Sequence, residues 1–203
     1  MRTPQVLVVP AKVNKANQFI GESENESDSY LVQQCLRGDT QSYGQLYRRH
    51  QQKVRSILYK LCTPASLDDV VQEVFLQTWK GLPKFRQTAK FSTWLYRIAW
   101  NVAYDQRQAD VQRRTQLQIL SQKTPTQQEA PELMNMHYQD LVQRGLANLS
   151  FDHRTILVLH DLEEVPQKEV AQILDIPLGT VKSRLFHARA AMRQFLQNQG
   201  VEL

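Results

Sequence analysis

The sequence predicts an all-α protein made of two small helical domains joined by a flexible linker. Apolar residues recur at spacings of three and four along most of the chain, strand-like alternation is absent, and a Gln-, Thr- and Pro-rich stretch interrupts the helical pattern. The chain has 203 residues, 41% of them hydrophobic, which is enough for two modest cores. We expect a disordered tail at 1–28, domains at 29–114 and 132–203, and a linker at 115–131.

The N-terminal segment lacks the features of a folded or targeting element. Its piece GESENESDS carries four acids and no base, which opposes compact structure. The apolar patch before it is broken by prolines and is too short for a signal-peptide core. No run approaches the roughly 20 apolar residues of a membrane span. These observations predict a cytoplasmic protein without direct membrane insertion.

The residue types that usually bind metals or cofactors are not grouped in this sequence. Cys35 and Cys62 form no C-x-x-C pair, and the five histidines have no ligand spacing around them. Both cysteines stand among apolar residues, which predicts buried thiols in a reducing cytosol. No phosphate-binding glycine loop and no nucleophile–base pair is recognisable. We therefore expect no metal, no other cofactor and no enzymatic activity.

Three amphipathic helices are predicted in the first domain. The first carries apolar residues at helical spacing from Tyr43 to Leu61. The second has acids in its first turn and stops near Gly81-Leu82-Pro83, a sequence that terminates helices. A loop, PKFRQTAKF, separates it from the third helix. The candidate N-cap residues are Asp39 or Thr40 for the first helix, Ser66 for the second and Ser92 for the third.

The second domain contains two short helices joined by a tight turn, which is the helix-turn-helix pattern. Pro166 suits the first turn of the first helix, and the small Ala171 lies where the two helices must cross closely. Asp175 occupies a turn position that often needs left-handed backbone geometry, which Asp tolerates better than most residues. The inward-facing positions of the second helix are Val181, Leu185 and Ala188.

Basic charge is concentrated in two blocks. From Lys80 to Arg114 eight Lys or Arg residues stand against two acids, although the whole chain carries only +5. From Gly179 to Leu203 four basic residues stand against one acid. Two anion-binding surfaces would explain this distribution, and two solvated helix faces are the alternative. The outward face of the last helix offers donors for phosphates and base edges: Thr180, Lys182, Ser183, Arg184, His187 and Arg189.

The stretch ANLSFDHRTILVLHDLEEVPQKEVAQILDIPLGTVKSRLFHARAAMRQFL closely resembles region 4 of bacterial sigma factors of the sigma-70 family, especially the small extracytoplasmic-function (ECF) group. The resemblance implies that the helix-turn-helix binds the −35 promoter element and contacts the flap of the polymerase β subunit. His187 stands where the family often has Arg, which is expected to alter base preference or to make binding pH-sensitive. Glu164-Val165-Pro166 replaces the usual Gly-Leu-Ser.

The stretch DDVVQEVFLQTWKGLPKFRQTAKFSTWLYRIAWNVAYDQRQ resembles region 2 of the same family. The resemblance implies that the DDVVQEVF helix docks on the clamp of the polymerase β′ subunit, with Asp69, Gln72, Glu73 and Trp79 as contacts. It also implies that the following loop and helix hold the non-template strand of the −10 element, where unstacked bases need aromatic and polar contacts. The residues implied there are Phe85, Arg86, Lys90, Ile98, Trp100 and Asn101.

Several positions in this stretch also have a purely structural interpretation. Phe85 and Asn101 are equally compatible with packing and with base contact. Gln87 stands where the family often has Gly after the Phe-Arg pair, so the conformation of the loop and the base it accepts stay open. Helical spacing favours core packing for Trp94, Leu95, Ile98 and Val102.

The family resemblance implies a transcription initiation subunit that joins core RNA polymerase, recognises both promoter elements and promotes melting, for a stress- or signal-responsive regulon. Its partners are then core polymerase, promoter DNA and an anti-sigma factor, although no residue identifies the last of these. Two alternatives stay open. One is a free-standing DNA-binding regulator with a palindromic site, and the other is an enzyme acting on nucleic acid, for which a catalytic constellation is lacking.

Overall fold

Helices joined by short connections account for most of the described chain. The computed structural model describes residues 27–62, 67–120 and 137–201, and within these ranges it contains no β-strand. The predicted tail up to residue 26 and the linker residues 121–131 lie outside the described residues. The helices are α1 Asp28–Leu36, α2 Thr40–Leu61, α3 Leu67–Gly81, α4 Phe91–Leu120, α5 His137–Asn148, α6 Phe151–Leu157, α7 Gln167–Leu174 and α8 Leu178–Asn198.

Helices α1 to α4 form the N-terminal helical domain. Helix α2 lies at its centre and packs against α1, α3 and α4. Side chains that the helical spacing assigns to the interior are fully buried, among them Leu46 and Leu58 of α2 and Leu95 of α4. Burial of each such side chain contributes roughly 1.5–3 kcal/mol. The all-α prediction for this domain is therefore confirmed, and its core lies where the apolar spacing predicts it.

Asp39, rather than Thr40, caps α2. Its carboxylate accepts hydrogen bonds from the Ser42 hydroxyl at 2.6 Å and from the backbone N–H of Gln41 at 2.9 Å. Both hydrogen bonds lower the pKa of the Asp39 carboxyl. An ionised carboxylate at this position satisfies N–H groups that the first helical turn leaves without a partner. The other proposed cap, Ser66, lies outside the described residues.

Helix α4 begins and ends differently from the prediction. Ser92 is not its N-cap, because the helix starts at Phe91 and the carbonyl of Lys90 already accepts the N–H of Trp94 at 3.2 Å. Phe91 is buried among aromatic side chains, and this packing fixes the first turn one residue earlier. At its other end α4 continues to Leu120, past the predicted boundary at 114/115. The Gln-rich start of the predicted linker is thus helical, which fits the good helix propensity of Gln.

Helices α5 to α8 form the C-terminal helical domain, in which α8 packs on α5, α6 and α7. A π-helical turn, Val158–Leu162, extends α6. Val181, Leu185 and Ala188 are buried, as predicted for the inward face of α8. Pro166 lies at the N-cap position, immediately before α7, and not in its first turn.

The turn between α7 and α8 has the left-handed geometry that was predicted for it. Asp175 has φ 55° and ψ 46°, and the N–H of Ile176 is hydrogen-bonded to the carbonyl of Ala171 at 3.1 Å. Ala171 is partly buried against the core. Helices α7 and α8 therefore form the predicted helix-turn-helix.

The two helical domains pack against each other. Helix α7 lies on α4, and α6 with its π-helical turn lies on α2. This arrangement places the helix-turn-helix next to the α4 face that the resemblance assigns to single-stranded DNA.

A second left-handed residue lies in the loop before α4. Gln87 has φ 55°, at the position where the sigma-70 family often has glycine. This conformation costs a residue with a Cβ about 1–2 kcal/mol. Glycine adopts the left-handed conformation without this cost. It also makes the unfolded chain more flexible, which offsets part of the gain in stability. Replacing Gln87 by Gly is therefore expected to raise the free energy of unfolding by about 0.5–1 kcal/mol.

Urea unfolding followed by tryptophan fluorescence measures the effect of Gln87→Gly, because Trp79, Trp94 and Trp100 all lie in the N-terminal domain. Gln87→Ala keeps the Cβ and is the matched control, expected to change stability by less than about 0.5 kcal/mol. A glycine variant no more stable than the alanine variant would show that the loop is not strained at this residue.

Candidate functional site

An apolar groove with an acidic rim lies between α2 and α3. Its volume is about 570 Å³. The four residues implied for polymerase docking all line this groove: Asp69, Gln72, Glu73 and Trp79. The other lining residues are Thr40, Tyr43, Tyr47, Phe75 and Leu76. The structure therefore brings the implied docking residues together on one continuous surface.

Aromatic side chains give the groove its shape. The ring of Trp79 meets that of Tyr43 edge-on, with centroids 4.7 Å apart, and Tyr47 packs on Phe75 at 4.6 Å. The Tyr43 hydroxyl donates a hydrogen bond to the carbonyl of Phe75, and burial raises the pKa of this phenol, so it stays a neutral donor. Leu76 and Trp79 are nevertheless 46% and 38% exposed. Exposed apolar groups of this size beside carboxylates are typical of a protein docking surface.

Helical spacing identifies Tyr43 and Tyr47 as core residues and misses their part in the groove. Both are only half-buried, because α2 carries them at the edge of the core where α3 leaves space beside them. That space depends on how two helices pack, which the spacing within one helix does not encode. Leu76 is missed for the same reason, although it follows Asp69 and Glu73 on the same face of α3.

Helix α8 presents the polar face that the sequence predicts. Lys182, Ser183 and His187 are exposed, and Thr180 is half-buried at the start of the helix. The rings of His187 and His153 lie 6.4 Å apart between centroids, so α6 contributes a second imidazole to this surface. Such side chains can donate hydrogen bonds to phosphates and to base edges in the major groove.

Two arginines of the same face are held by carboxylates of their own domain. Arg184 pairs with Asp152 at 2.8 Å, which fixes its direction at the surface. Arg189 makes two hydrogen bonds to Asp161, at 2.8 and 2.6 Å, and these raise its pKa. A bidentate pair of this kind is geometrically specific. Arg189 therefore braces α8 against the π-helical turn, a structural role that the sequence did not indicate.

Phe85 belongs to an aromatic cluster at the start of α4. Its ring stacks on Trp94 with centroids 4.8 Å apart and lies 6.1 Å from Phe91. Phe85 and Trp94 are half-buried, whereas Phe91 is buried and the neighbouring Arg86 is exposed. The cluster fixes the loop on the domain and leaves part of two aromatic rings accessible to a stacking base.

The other residues implied for the −10 strand follow along α4. Asn101 is exposed, while Ile98 and Trp100 are half-buried. Trp100 lies 6.0 Å from Tyr104, so a second aromatic pair stands about three turns beyond Phe91. The implied set is thus divided between the loop with the first turn of α4 and a later segment of the same helix.

The basic residues of this α4 face are engaged by the C-terminal domain. The Lys90 ammonium lies 2.5 Å from Glu169 of α7, and Arg97 pairs with Asp175 at 3.2 Å. Arg97 is 45% exposed, so this second pair is open to solvent. The sequence, which reveals only the local charge of each segment, does not predict these contacts.

The two cysteines are buried free thiols. Burial raises the pKa of Cys35 and raises that of Cys62 to about 11. In the described ranges, no three His, Cys, Asp or Glu side chains come together as a metal site. None of the helices described is both long and apolar enough to cross a bilayer.

Two family models match the two domains separately. Residues 46–114 match the model described as Sigma-70 region 2, and residues 139–192 match the model described as Sigma-70, region 4. The first match spans most of α2 to α4, which contain the groove and the aromatic cluster. The second contains α7, the turn and α8 as far as residue 192.

Relatives and solved structures agree with this division. The chain is 31% identical over 185 residues to the ECF RNA polymerase sigma-E factors of Haemophilus influenzae and Escherichia coli, which covers 86% of this chain and 98% and 97% of those proteins. Its fold is similar to CnrH in a complex with the cytosolic domain of CnrY, with a TM-score of 0.64, 24% identity and coverage of 85% of this chain and 99% of that one.

A second solved fold is that of the sigma factor RpoE of Bartonella quintana, bound to the anti-sigma factor NepR. Here the TM-score is 0.62 at 22% identity, over 76% of this chain and 96% of the other. Both family models, the curated relatives and the two-domain helical fold lead to the same assignment. The chain belongs to the sigma-70 family of RNA polymerase sigma factors, in its extracytoplasmic-function group.

Proposed function

We propose that this sigma factor initiates transcription through three separate surfaces: the α2–α3 groove for core polymerase, the outer face of α8 for the −35 element, and the loop with α4 for the −10 strand. The observation that supports this most is the convergence of Asp69, Gln72, Glu73 and Trp79 on one partly exposed groove. The family acts in transcription and is not a class of catalytic enzymes. The chain itself is proposed to perform no covalent chemistry and to act in the cytoplasm.

The α2–α3 groove is suited to a helical partner with basic and apolar side chains. Its floor carries Trp79 and Leu76, both partly exposed, and its rim carries Asp69 and Glu73. Burial of the apolar groups supplies affinity, while the carboxylates orient the partner and exclude acidic competitors. We assign this groove to the clamp of the β′ subunit, and region 4 to the β flap.

The α8 face is suited to a major groove. Lys182, Ser183 and His187 are exposed side by side, and Arg184 is directed by Asp152. An oriented guanidinium can make two hydrogen bonds to guanine, which discriminates between bases by about 1–3 kcal/mol. Arg189 already makes two hydrogen bonds to Asp161. We therefore assign it a contact with the DNA phosphate backbone and not with a base edge.

Strand opening without ATP requires that the protein replace the stacking that the melted bases lose. The half-buried rings of Phe85 and Trp94 offer a stacking surface, and the exposed amide of Asn101 can both donate to and accept from a base edge. Arg86 is exposed, and it would contact the backbone of the same strand together with Lys90 once Lys90 is released from Glu169. A single strand running from the loop along α4 would meet these groups in sequence.

An anti-sigma factor is proposed as a further partner. Two proteins of similar fold have been solved as complexes, one with the cytosolic domain of CnrY and one with the anti-sigma factor NepR. A regulator of this kind would restrict transcription to a stress- or signal-responsive set of genes by covering the polymerase-binding groove.

Run-off transcription with purified core polymerase on fragmented source DNA tests this function and maps the promoter. On that promoter, Arg184→Ala is expected to reduce initiation about 10- to 100-fold through the −35 element. Asn101→Ala is expected to reduce it through the −10 element. Both variants should bind core polymerase as the unmodified chain does.

The matched controls are Arg193→Ala, which removes a positive charge from the same helix, and Gln108→Ala, which removes an exposed amide of α4. Both are expected to transcribe within about twofold of the unmodified chain. Equal loss of core binding in Arg184→Ala and Asn101→Ala would contradict the assigned roles. Tight palindromic operator binding without polymerase, with no promoter-specific transcript, would favour a free-standing regulator instead.

A further inference from the structure

We infer that His153 of α6 and His187 of α8 together bind one phosphate of the −35 DNA, with both imidazoles protonated in the bound state. This inference rests on the proposed assignment of the outer face of α8 to the −35 element. It adds His153 to that surface as a further DNA contact. It also makes the affinity for the −35 element depend on pH.

The two imidazoles lie side by side at the surface of the C-terminal domain. Their ring centroids are 6.4 Å apart, and their planes differ by 31°. His187 is exposed and His153 is half-buried. The ring of Phe186 meets that of His187 edge-on, with centroids 5.5 Å apart. The His187 ring thus has an aromatic neighbour on its own helix and a second imidazole beside it from α6.

Neither imidazole is used by the protein itself. Among the residues that the structure describes, no side chain or carbonyl forms a hydrogen bond or an ion pair with the ring of His153 or of His187. By contrast, the ring of His50 is hydrogen-bonded to Asp28 at 2.9 Å, and that of His160 to a backbone carbonyl at 2.9 Å. The ring nitrogens of the surface pair are therefore available to a ligand, and all of them donate when protonated.

The separation of the two rings suits a single phosphate group. Two N–H···O hydrogen bonds of about 2.9 Å to one oxygen can join nitrogens up to about 5.8 Å apart. A ring nitrogen lies off its centroid, so rings with centroids 6.4 Å apart can present nitrogens within this range. Hydrogen bonds from charged donors to phosphate are stronger than neutral ones. The pair can therefore hold a phosphate between two imidazolium rings.

The first turn of α6 lies along the outer face of α8. Besides the histidine pair, Asp152 of α6 contacts Arg184 of α8 at 2.8 Å. When a recognition helix enters the major groove, the phosphate backbone runs along its sides, and a neighbouring helix contacts that backbone. His153, on the helix beside α8, is therefore positioned for a backbone phosphate and not for a base edge.

The local charges couple protonation of the pair to DNA binding. Asp152 and Arg184 neutralise each other and add no net charge beside the imidazoles. Two imidazolium rings at this separation repel each other in the free chain, and a phosphate between them replaces this repulsion by two attractions. Histidine side chains commonly change their charge between pH 5 and 8. DNA binding is therefore accompanied by proton uptake, and the affinity rises as the pH falls.

The acids on the elements packed against α6 and α8 are paired with cations of the protein. These pairs are Asp140 with Arg144 of α5, Glu169 of α7 with Lys90, Asp161 of the π-helical turn with Arg189, and Glu163 with Lys60 of α2. The other cations on these elements and on α4 beside them are Arg154, which donates to backbone carbonyls, Arg107, which lies over the ring of Phe151, and the exposed Lys168. The imidazole pair is thus left to an external anion.

The holoenzyme formed with core polymerase, on a promoter mapped by run-off transcription, provides the test. Affinity for the labelled promoter duplex is measured for the unmodified chain and for the double variant His153→Gln/His187→Gln. The ratio of the two affinities removes the effects of pH on core polymerase itself. We expect this ratio to rise about tenfold from about pH 7.5 to about pH 6.0.

Two single variants separate the pair from other contacts of the same surface. His153→Gln should show a rise of less than about threefold although His187 is intact, because a single imidazolium takes up fewer protons. Lys182→Gln removes an exposed positive charge of α8 and is the matched control. It should weaken binding by the same factor at both pH values and keep the tenfold rise. Circular dichroism verifies that each variant is folded.

Two further measurements identify the protons and the phosphate. Calorimetric titration in buffers of different ionisation enthalpy should show that the unmodified chain takes up about one proton more than the double variant when it binds. A series of duplexes, each with one neutral methylphosphonate linkage in the −35 region, should contain one position at which the pH-dependent rise is lost. Loss at no position overturns the phosphate contact.

The outcomes separate this inference from the proposed function. A chain that transcribes from the mapped promoter, but whose affinity ratio is the same at both pH values, keeps its function and loses the imidazole pair. A full rise in His153→Gln shows that His187 acts alone, which also overturns the pair. If no promoter-specific transcript forms, the proposed function itself fails, and the inference that rests on it fails too.

Discussion

Replacing Arg154 by methionine is expected to lower the free energy of unfolding by about 3 kcal/mol. This arginine is 9% exposed, and its guanidinium donates to the carbonyls of Leu146 at 2.6 Å and Ala147 at 3.0 Å, near the end of α5, and of Leu61 at 3.2 Å, at the end of α2. Burial lowers its pKa, but an arginine stays protonated. Methionine keeps an apolar stem of similar length but donates no hydrogen bond. The three carbonyls are then buried without a donor, and an unsatisfied buried acceptor destabilises the folded state.

The position of Arg154 determines how its loss should be observed. Two of the three acceptors belong to the C-terminal domain. Urea unfolding followed by circular dichroism, which reports both domains, should therefore show the lower free energy of unfolding. Tryptophan fluorescence, which reports only the N-terminal domain, should change much less. Arg144→Met is the matched control, because this α5 arginine is exposed and bonds Gln199 at 3.0 Å, and it should cost less than about 0.5 kcal/mol. Equal unfolding curves for the two variants would contradict a capping role for Arg154.

The spacing of apolar residues within each segment predicts the helices of this chain. Where the structure differs from the sequence-based prediction, contacts between helices are the cause. The spacing of Val181, Leu185 and Ala188 is a property of one helix, and all three are buried as predicted. The start of α4 depends on the burial of Phe91 in an aromatic cluster with Phe85 and Trp94, so the capping preference of Ser92 does not determine it. The same distinction applies to the candidate site.

Asp69, Gln72 and Glu73 could be named in advance only because the stretch DDVVQEVF resembles region 2 of the sigma-70 family, and the structure places them together along the groove. The opposite wall of their groove comes from Tyr43 and Tyr47 of α2, and helical spacing alone does not show that these residues line it. The contacts of Lys90 with Glu169 and of Leu61 with Arg154 join residues 79 and 93 positions apart. Charge totals for each segment carry no information on such pairs, because the pairing depends on how the two domains pack.

Two residues with left-handed backbone, Glu164 and Gln87, stand at positions where the sigma-70 family often has glycine. Their φ angles are 57° and 55°. These two departures from the family pattern, unlike that at His187 in α8, fall on left-handed backbone. Both residues carry a Cβ at a backbone conformation that favours glycine, so their expected effect is on stability.

The groove between α2 and α3 concentrates docking energy in few side chains. Trp79 is held by its edge contact with Tyr43, and with Leu76 it forms the partly exposed apolar floor. A tryptophan that is already oriented loses little conformational freedom when a partner covers it, and such residues account for most of the affinity in many interfaces. Because Trp79 is 38% exposed before docking, its contribution to folding is smaller than that of a core aromatic residue.

Trp79→Ala is therefore expected to weaken binding to core polymerase about 30- to 1000-fold, which corresponds to about 2–4 kcal/mol. Competition for purified core polymerase between a labelled chain and each unlabelled variant measures this. Trp79→Phe, which keeps an aromatic ring against Tyr43, should recover most of the affinity. Tyr59→Ala removes an aromatic residue that is 49% exposed on α2 but does not line the groove, and it should bind normally. If Trp79→Ala and Tyr59→Ala compete equally well, the groove is not the polymerase-binding surface, because Trp79 forms a large part of its exposed apolar floor.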